Sequence, residues 1–241
     1  VAMCGANHDS HDFIAGMQSR GVRAFLVERG VEASSCTGEC GFVQVDNAIE
    51  ALQRLAAYHR AQFRGTVVGI TGSNGKTVIK EWIAEELPEG MKYYRSPKSY
   101  NSQLGVPLSV LMLEGDEELA IFEAGISKPG EMERLERIIR PDAVIFTSIG
   151  DAHQENFINL EQKCDEKMIL ARSASKIIYH SYYEPLGRMV AAHFADRRPV
   201  DAAAYPEVPE SVIGNAASRR NAQIVEAFCA AMGYPAPSFT E

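Results

Sequence analysis

The chain has 241 residues, of which 46% are hydrophobic and 23% charged, with a net charge of −8; this is the composition of a globular protein long enough for one large domain or two modest ones. No Lys/Arg-rich run is present, which argues against a nucleic-acid partner, and no apolar stretch is long enough to cross a bilayer. The five cysteines, Cys4, Cys36, Cys40, Cys164 and Cys229, are odd in number and scattered, which fits a reducing, cytoplasmic setting rather than a disulfide framework; Cys36 and Cys40 lie close together but lack a second ligand pair at zinc-site spacing.

The opening VAMCGANHDSHDF has neither the charged nor the apolar region of a signal peptide and reads as a strand entering a polar loop, so the chain is expected to begin inside a domain. Short apolar runs at Ala24 to Val27 and Phe42 to Val45, separated by Gly-rich turns, read as the tail of a small α/β domain over residues 1–45. Asp46 opens a helix running to about Phe63, with Ile49, Leu52, Leu55 and Ala56 on one face; residues 46–64 are expected to link the first domain to a second over residues 65–241.

From Thr66 strands and helices alternate. TVVGIT is a strand and Lys76 to about Leu87 a helix. Lys92 to Arg95 is a short strand, Ser102 to Leu113 a helix, and LAIFEA a strand. Glu131 to Ile139 is a helix with Met132, Leu135, Ile138 and Ile139 inward, stopped before Pro141, and AVIFTS is a strand. Asn159 caps the next helix, with Gln162 completing a capping box, and KIIYH is a further strand. Residues 181–216 carry Pro185, Pro199, Pro206 and Pro209 and read as mostly irregular. A last helix spans Ser218 to Met232 with Ile224, Val225 and Phe228 inward, ended by Gly233 and Pro235. This alternation predicts an α/β fold, a three-layer, mostly parallel sheet covered on both faces.

The strongest motif is GITGSNGKT, Gly69 to Thr77, placed between a strand and a helix. Thr71, Gly72, Ser73, Asn74 and Gly75 are small enough for backbone N–H groups to close around phosphate oxygens, and the helix N-terminus adds positive potential. Lys76 would reach the terminal phosphates and the Thr77 hydroxyl would bind Mg²⁺. The general phosphate-loop pattern places a glycine where Ile70 stands, so the bland reading is a Gly-rich turn; a turn alone does not call for Lys-Thr after the last glycine.

Ligands of open parallel sheets bind beyond the carboxyl ends of the strands. Glu123 follows LAIF, and Asp151 and His153 follow AVIFTSIG, so a carboxylate and an imidazole share that edge with the phosphate loop and are natural metal ligands. Glu123 could instead cap a helix, and His153 could pack against Phe157. Lys163 and Lys167 lie one turn apart, and spacing alone favours a solvated helix face.

TGSNGKT resembles the phosphate loop of the Mur ligases, in which the residue before the threonine need not be glycine. YNSQLGVPLSVL, FEAGISKPGEMERL and IGDAHQENF followed by EK occur in the order expected of that family. Together they resemble its MurF type, the UDP-N-acetylmuramoyl-tripeptide:D-alanyl-D-alanine ligases, and RSPKSYNSQLGVPLSV and GDAHQENF resemble the form fused to an alanine racemase. The resemblance implies ATP and Mg²⁺ as cofactors, UDP-N-acetylmuramoyl-tripeptide and D-Ala-D-Ala as substrates, and an acyl-phosphate mechanism. It implies that Lys76 and Thr77 keep the roles above, that Asn101 lies near the reacting carboxylate and metal, and that Glu123 and His153 are Mg²⁺ ligands. Lys167 falls where the family has a carbamylated, metal-supporting lysine, whereas Lys163 stays a surface residue. Asn221 resembles an asparagine near the adenine, although Ala217 and Ser218 replace the family's preceding His-Asn pair. GANHDSHDF resembles a substrate-side loop of the first domain. The family's opening strands and third domain are not matched, so a fragment that binds nucleotide but turns over poorly is expected. A folylpolyglutamate synthetase and a non-catalytic nucleotide-binding module are the competing readings.

Overall fold

A computed structural model of the chain describes residues 1–5, 8–31, 39–150 and 152–239, so Cys36 and Asp151 lie outside the described residues. The chain divides into two compact units, Val1–Leu55 and Ala56–Glu241.

In the first unit the Asp9 side chain accepts from His11 N and caps a short helical turn, Ser10–Phe13, that leads into α1 (Ile14–Ser19). The strands β1 (Ala24–Val27) and β2 (Gly41–Gln44) pair in parallel. Ala2, Ile14, Phe25 and Val27 form a small core, and Phe42 stacks on Phe25 with ring centroids 5.3 Å apart. α2 (Ala48–Arg60) begins after Asn47, whose side chain accepts from Glu50 N at 2.9 Å. The division between the units falls within α2. Its buried positions are Ala48, Leu52 and Ala56, spaced one turn apart, while Ile49 and Leu55 are exposed. The apolar stripe is thus rotated from the one read off the sequence.

The second unit is built on a six-stranded sheet. β3 (Thr66–Thr71), α3 (Lys76–Glu85), β4 (Tyr93–Arg95), α4 (Gly105–Val110), β5 (Leu119–Ala124), α5 (Glu131–Ile139), β6 (Ala143–Phe146), α6 (Leu160–Met168), β7 (Lys176–Tyr179), α7 (Leu186–His193), β8 (Val200–Asp201) and α8 (Ala216–Met232) follow in chain order. The strand order is β4-β5-β3-β6-β7-β8, and every pairing is parallel. Alternation along the strands sends successive side chains to opposite faces. Val67, Phe122, Val144 and Ile177 pack with α4, α5, α6 and α7, whereas Val68, Ile70, Ile121 and Ile145 pack with α3 and α8. This is the expected three-layer arrangement. β3 lies between β5 and β6: the chain leaves it for β4 on one side, and the β5-to-β6 connection crosses it to the other, which is where such sheets open a crevice for ligands.

Several local expectations change. α4 is a short helix, Gly105–Val110, entered through a turn in which Ser102 Oγ accepts from Gly105 N at 3.1 Å. Residues 181–216 are largely irregular, as expected, but they also contain α7, which follows Pro185 at its N-cap and buries Leu186, Gly187 and Val190, and the edge strand β8. The prolines that masked this helix stand at its start and beyond its end, where a missing N–H costs nothing. Asn159 caps α6 through Gln162 N at 2.8 Å, and the Gln162 side chain returns to Ile158 N at 2.7 Å, one residue earlier than in a standard capping box. Asn215 caps α8, so that helix starts before Ser218. No described helix is long and apolar enough to cross a membrane.

Candidate functional site

The loop between β3 and α3 is a tight turn that only glycine allows at two points. Gly72 has φ 147°, and a Cβ placed on it would lie 1.8 Å from Thr147 Oγ1. Gly75 has φ 88°, and its Cβ would meet Asn221 Oδ1 at 3.0 Å. The end of β6 braces the loop from the other side. Ser73 N donates to Ser148 O at 2.7 Å, Asn74 N donates to Ser148 Oγ at 3.1 Å, and Thr147 Oγ1 donates to Asn74 O at 2.6 Å. Ser73 Oγ accepts from Gly150 N at 3.0 Å. No side chain caps α3, so its first N–H groups face the loop.

Lys76 folds back over this turn. Its Nζ donates to Gly72 O at 2.8 Å and to Ser73 O at 3.2 Å. Burial lowers its pKa, and the Glu123 charge opposes that shift. Lys167 arrives from α6 and donates to the same Gly72 carbonyl at 3.1 Å. It is 2% exposed, and burial together with the ammonium groups of Lys76 and Lys163 holds its pKa down to about 7. Lys163 is also buried: its Nζ donates to the carbonyls of Gly150 and Ala152 and lies 5.8 Å from the centre of the Phe157 ring. This corrects both the solvated-face reading and the assignment of Lys163 to the surface. A lysine can be buried when carbonyl oxygens take its hydrogens, and here the loop after β6 supplies them.

The second focus is Glu123, fully buried at the end of β5. Its Oε2 accepts from Thr77 Oγ1 at 3.1 Å and from Asn101 Nδ2 at 3.5 Å. Its Oε1 makes no well-directed hydrogen bond, but Lys80 Nζ stands 2.8 Å away as an ion-pair partner. Asn101 is fixed by its backbone, whose carbonyl accepts from Gly125 N at 2.7 Å. The structure therefore brings Thr77, Asn101 and Glu123 together, and Lys76 and Lys167 together. Asn221 borders Gly75, on the phosphate-loop side of α8. His153 is exposed on the loop after β6 with φ 60°, and no hydrogen bond to Thr77, Glu123 or Lys167 is found for it among the described residues. Lys80 is the residue that sequence reasoning missed; its one trace is its position three residues after Thr77 on the same helix.

Three observations fit this site to the phosphates of a nucleotide with magnesium. The cradle has no room for a Cβ at Gly72 and turns through a left-handed Gly75, the uncapped α3 N-terminus faces it, and two hard oxygen donors, Thr77 Oγ1 and Glu123 Oε2, stand together beside it. The buried Thr71 hydroxyl, at the entrance to the loop, has no hydrogen-bond partner among the described residues.

A second cluster, in the first unit, is Cys4, Asp9 and His11, whose ligand atoms lie within 4.8 Å of one another. His11 Nε2 accepts from Glu28 N at 3.0 Å and Arg29 N at 3.3 Å, so Nδ1 carries the ring proton and donates to Asp9 Oδ1 at 2.5 Å. A metal on Nδ1 would require the opposite tautomer, with Nε2–H facing two N–H donors. The triad is a brace for the start of the unit. Of the Cys36–Cys40 pair, Cys36 lies outside the described residues.

Residues 70–196, more than half of the chain, match the Mur ligase middle domain family. The UDP-N-acetylmuramoyl-tripeptide–D-alanyl-D-alanine ligase of Borreliella burgdorferi is 37% identical over 169 residues, covering 68% of this chain and 36% of that protein. The chain thus spans about a third of the length of the curated relatives it matches. The MurF ligase of Thermotoga maritima, solved in complex with ADP, shares the fold with a TM-score of 0.80 at 23% identity, covering 98% of this chain and 60% of that one. A folylpolyglutamate synthetase from Helicobacter pylori shares it more distantly, with a TM-score of 0.53 at 12% identity over 77% of this chain and 59% of that one. The chain belongs to the Mur ligase family, whose middle domain it carries in the MurF-type form.

Proposed function

We propose that the chain is the nucleotide-binding part of an ATP-dependent ligase that joins D-alanyl-D-alanine to UDP-N-acetylmuramoyl-tripeptide in peptidoglycan precursor synthesis. The observation that carries this reading is the convergence of Lys76 and Lys167 on Gly72 O, one step from the Thr77–Glu123 pair. A triphosphate laid on the α3 N-terminus would meet the Lys76 cation on one side and two hard oxygen donors on the other, with Lys167 beside the same turn.

Thr77 and Glu123 would hold a magnesium ion, with His153 and Lys167 supporting a second. Magnesium in such a site neutralises charge on the transferring phosphoryl group. Lys76 binds the terminal phosphates as their fixed cation, and the Gly72–Gly75 turn orients them by its backbone N–H groups. Asn101, anchored to Gly125 N, orients the substrate carboxylate, which attacks the γ-phosphate to give an acyl phosphate and ADP. The amine of D-Ala-D-Ala then displaces phosphate. Asn221, beside Gly75, would line the nucleotide. GANHDSHDF, whose Ala6 and Asn7 lie outside the described residues, would face the uridine-linked substrate.

Lys167 would act as its carbamate. A large fraction of its amine is neutral near pH 7, because burial and two neighbouring ammonium groups disfavour its charge. The neutral nitrogen adds to the carbon of CO₂ and loses a proton, turning a cation into an anion with two oxygens. The test is NMR of the chain in isotopically labelled bicarbonate. A carbamate signal lost in Lys167→Ala supports the ligase. Its absence at saturating bicarbonate favours a nucleotide-binding module without ligase chemistry. Ligation by this chain alone is expected to be far slower than by an intact enzyme.

A further inference from the structure

Lys80 has no role in the chemistry described above, yet it is among the most deeply buried side chains of the second unit. Its Nζ meets Glu123 Oε1 at 2.8 Å, donates to Ser96 O at 2.8 Å and to Lys98 O, and lies 3.4 Å from Glu81. The Ser96–Lys98 turn it grips includes a non-glycine residue in the left-handed region, Lys98 at φ 48°. That turn leads into Asn101. Thr77 and Lys80 are three residues apart on α3 and so share a face. Thr77 takes one oxygen of the Glu123 carboxylate and Lys80 the other.

We propose that Lys80 is a positioning residue: it holds Glu123 by Oε1 and leaves Oε2, beside Thr77 and Asn101, as the one oxygen the carboxylate offers to a divalent cation. This rests on the reading of Thr77 and Glu123 as the magnesium end of the nucleotide site. Without Lys80 the fully buried carboxylate loses the cation in contact with it and can turn either oxygen toward the Thr77 hydroxyl. The turn before Asn101 also loses two of its anchors. A carboxylate held through one oxygen offers one-point coordination, which suits a small cation that keeps several of its waters.

Electrostatics and positioning predict opposite signs here. Removing a buried cation next to a metal site strengthens divalent binding if charge alone matters. Removing a positioning residue weakens it, and second-shell partners of metal ligands are commonly worth about tenfold or more. The experiment is calorimetric titration of ADP into the full chain and Lys80→Met, with and without Mg²⁺. The expected result is that the Mg²⁺-dependent gain in ADP affinity falls at least about tenfold in Lys80→Met. Metal-free ADP binding should change little. An unchanged or larger Mg²⁺ gain overturns the proposal, as does parallel weakening with and without metal, which marks a purely structural role. Failure of the unmutated chain to bind ADP removes the nucleotide site itself, and this inference with it. If Lys80→Met does not fold, Lys80→Met/Glu123→Gln decides. Recovery of folding identifies the Glu123 charge as the group Lys80 holds, and continued failure overturns that assignment.

Discussion

Lys167 Nζ donates to Gly72 O at 3.1 Å, which ties the last turn of α6 to the first residue of the phosphate-loop turn. Burial and the charges of Lys76 and Lys163 depress its pKa from 10.5 to about 7. A depressed lysine destabilises the fold fully below its folded pKa. Above it the unfolded chain holds the proton that the folded chain has lost, so stability rises with pH up to the unfolded pKa. In bicarbonate-free buffer, the urea midpoint of the chain is expected to gain more between pH 7 and pH 9 than that of Lys167→Met. The difference should correspond to on the order of a few kcal/mol across the full window. Parallel profiles would show that Lys167 is not a titrating burden on the fold.

Gly72 gives a prediction from packing alone. A Cβ there would overlap Thr147 Oγ1 at 1.8 Å and meet Ser148 O, a backbone atom, at 2.9 Å, with φ at 147°. Gly72→Ala is expected to cost about 2–4 kcal/mol by denaturant unfolding and to displace the brace from Thr147 to Asn74. Gly75→Ala meets only the end of the Asn221 side chain at 3.0 Å. It should cost less, about 1–2 kcal/mol for the left-handed backbone. Equal costs would contradict the packing argument.

Lys163 organises the loop that carries His153. Lys163→Met removes the donor from the Gly150 and Ala152 carbonyls while keeping most of the buried stem. The expected loss is about 1–3 kcal/mol, with faster proteolysis confined to residues 150–157. Cleavage spread over the whole second unit would mean the lysine supports the core rather than the loop.

The layers of the second unit were legible because β3, β5 and α5 each carry one unbroken apolar period. LAIFEA and Glu131–Ile139 fall where the structure has them. α7 was hidden because prolines at its borders outweigh a short periodic run, and the inward face of α2 was misread because Leu52 and Ala56 fit two neighbouring stripes. Glu123 was visible as a charge at a strand's carboxyl end. Lys80 and Lys163 were not, because lysine is ordinarily a surface residue. What buries these two is a set of carbonyls, from Ser96, Lys98, Gly150 and Ala152, that only the tertiary fold brings to them.

The central claim is that the β3–α3 loop binds the phosphates of ATP with Lys76 as their cation. Its direct measurement is calorimetric titration of Mg·ATP into the chain and into Lys76→Ala, with GTP alongside. The account predicts saturable ATP binding that weakens at least about tenfold on losing the charge-assisted bonds of Lys76. No binding by the unmutated chain, or binding unchanged in Lys76→Ala, would contradict it.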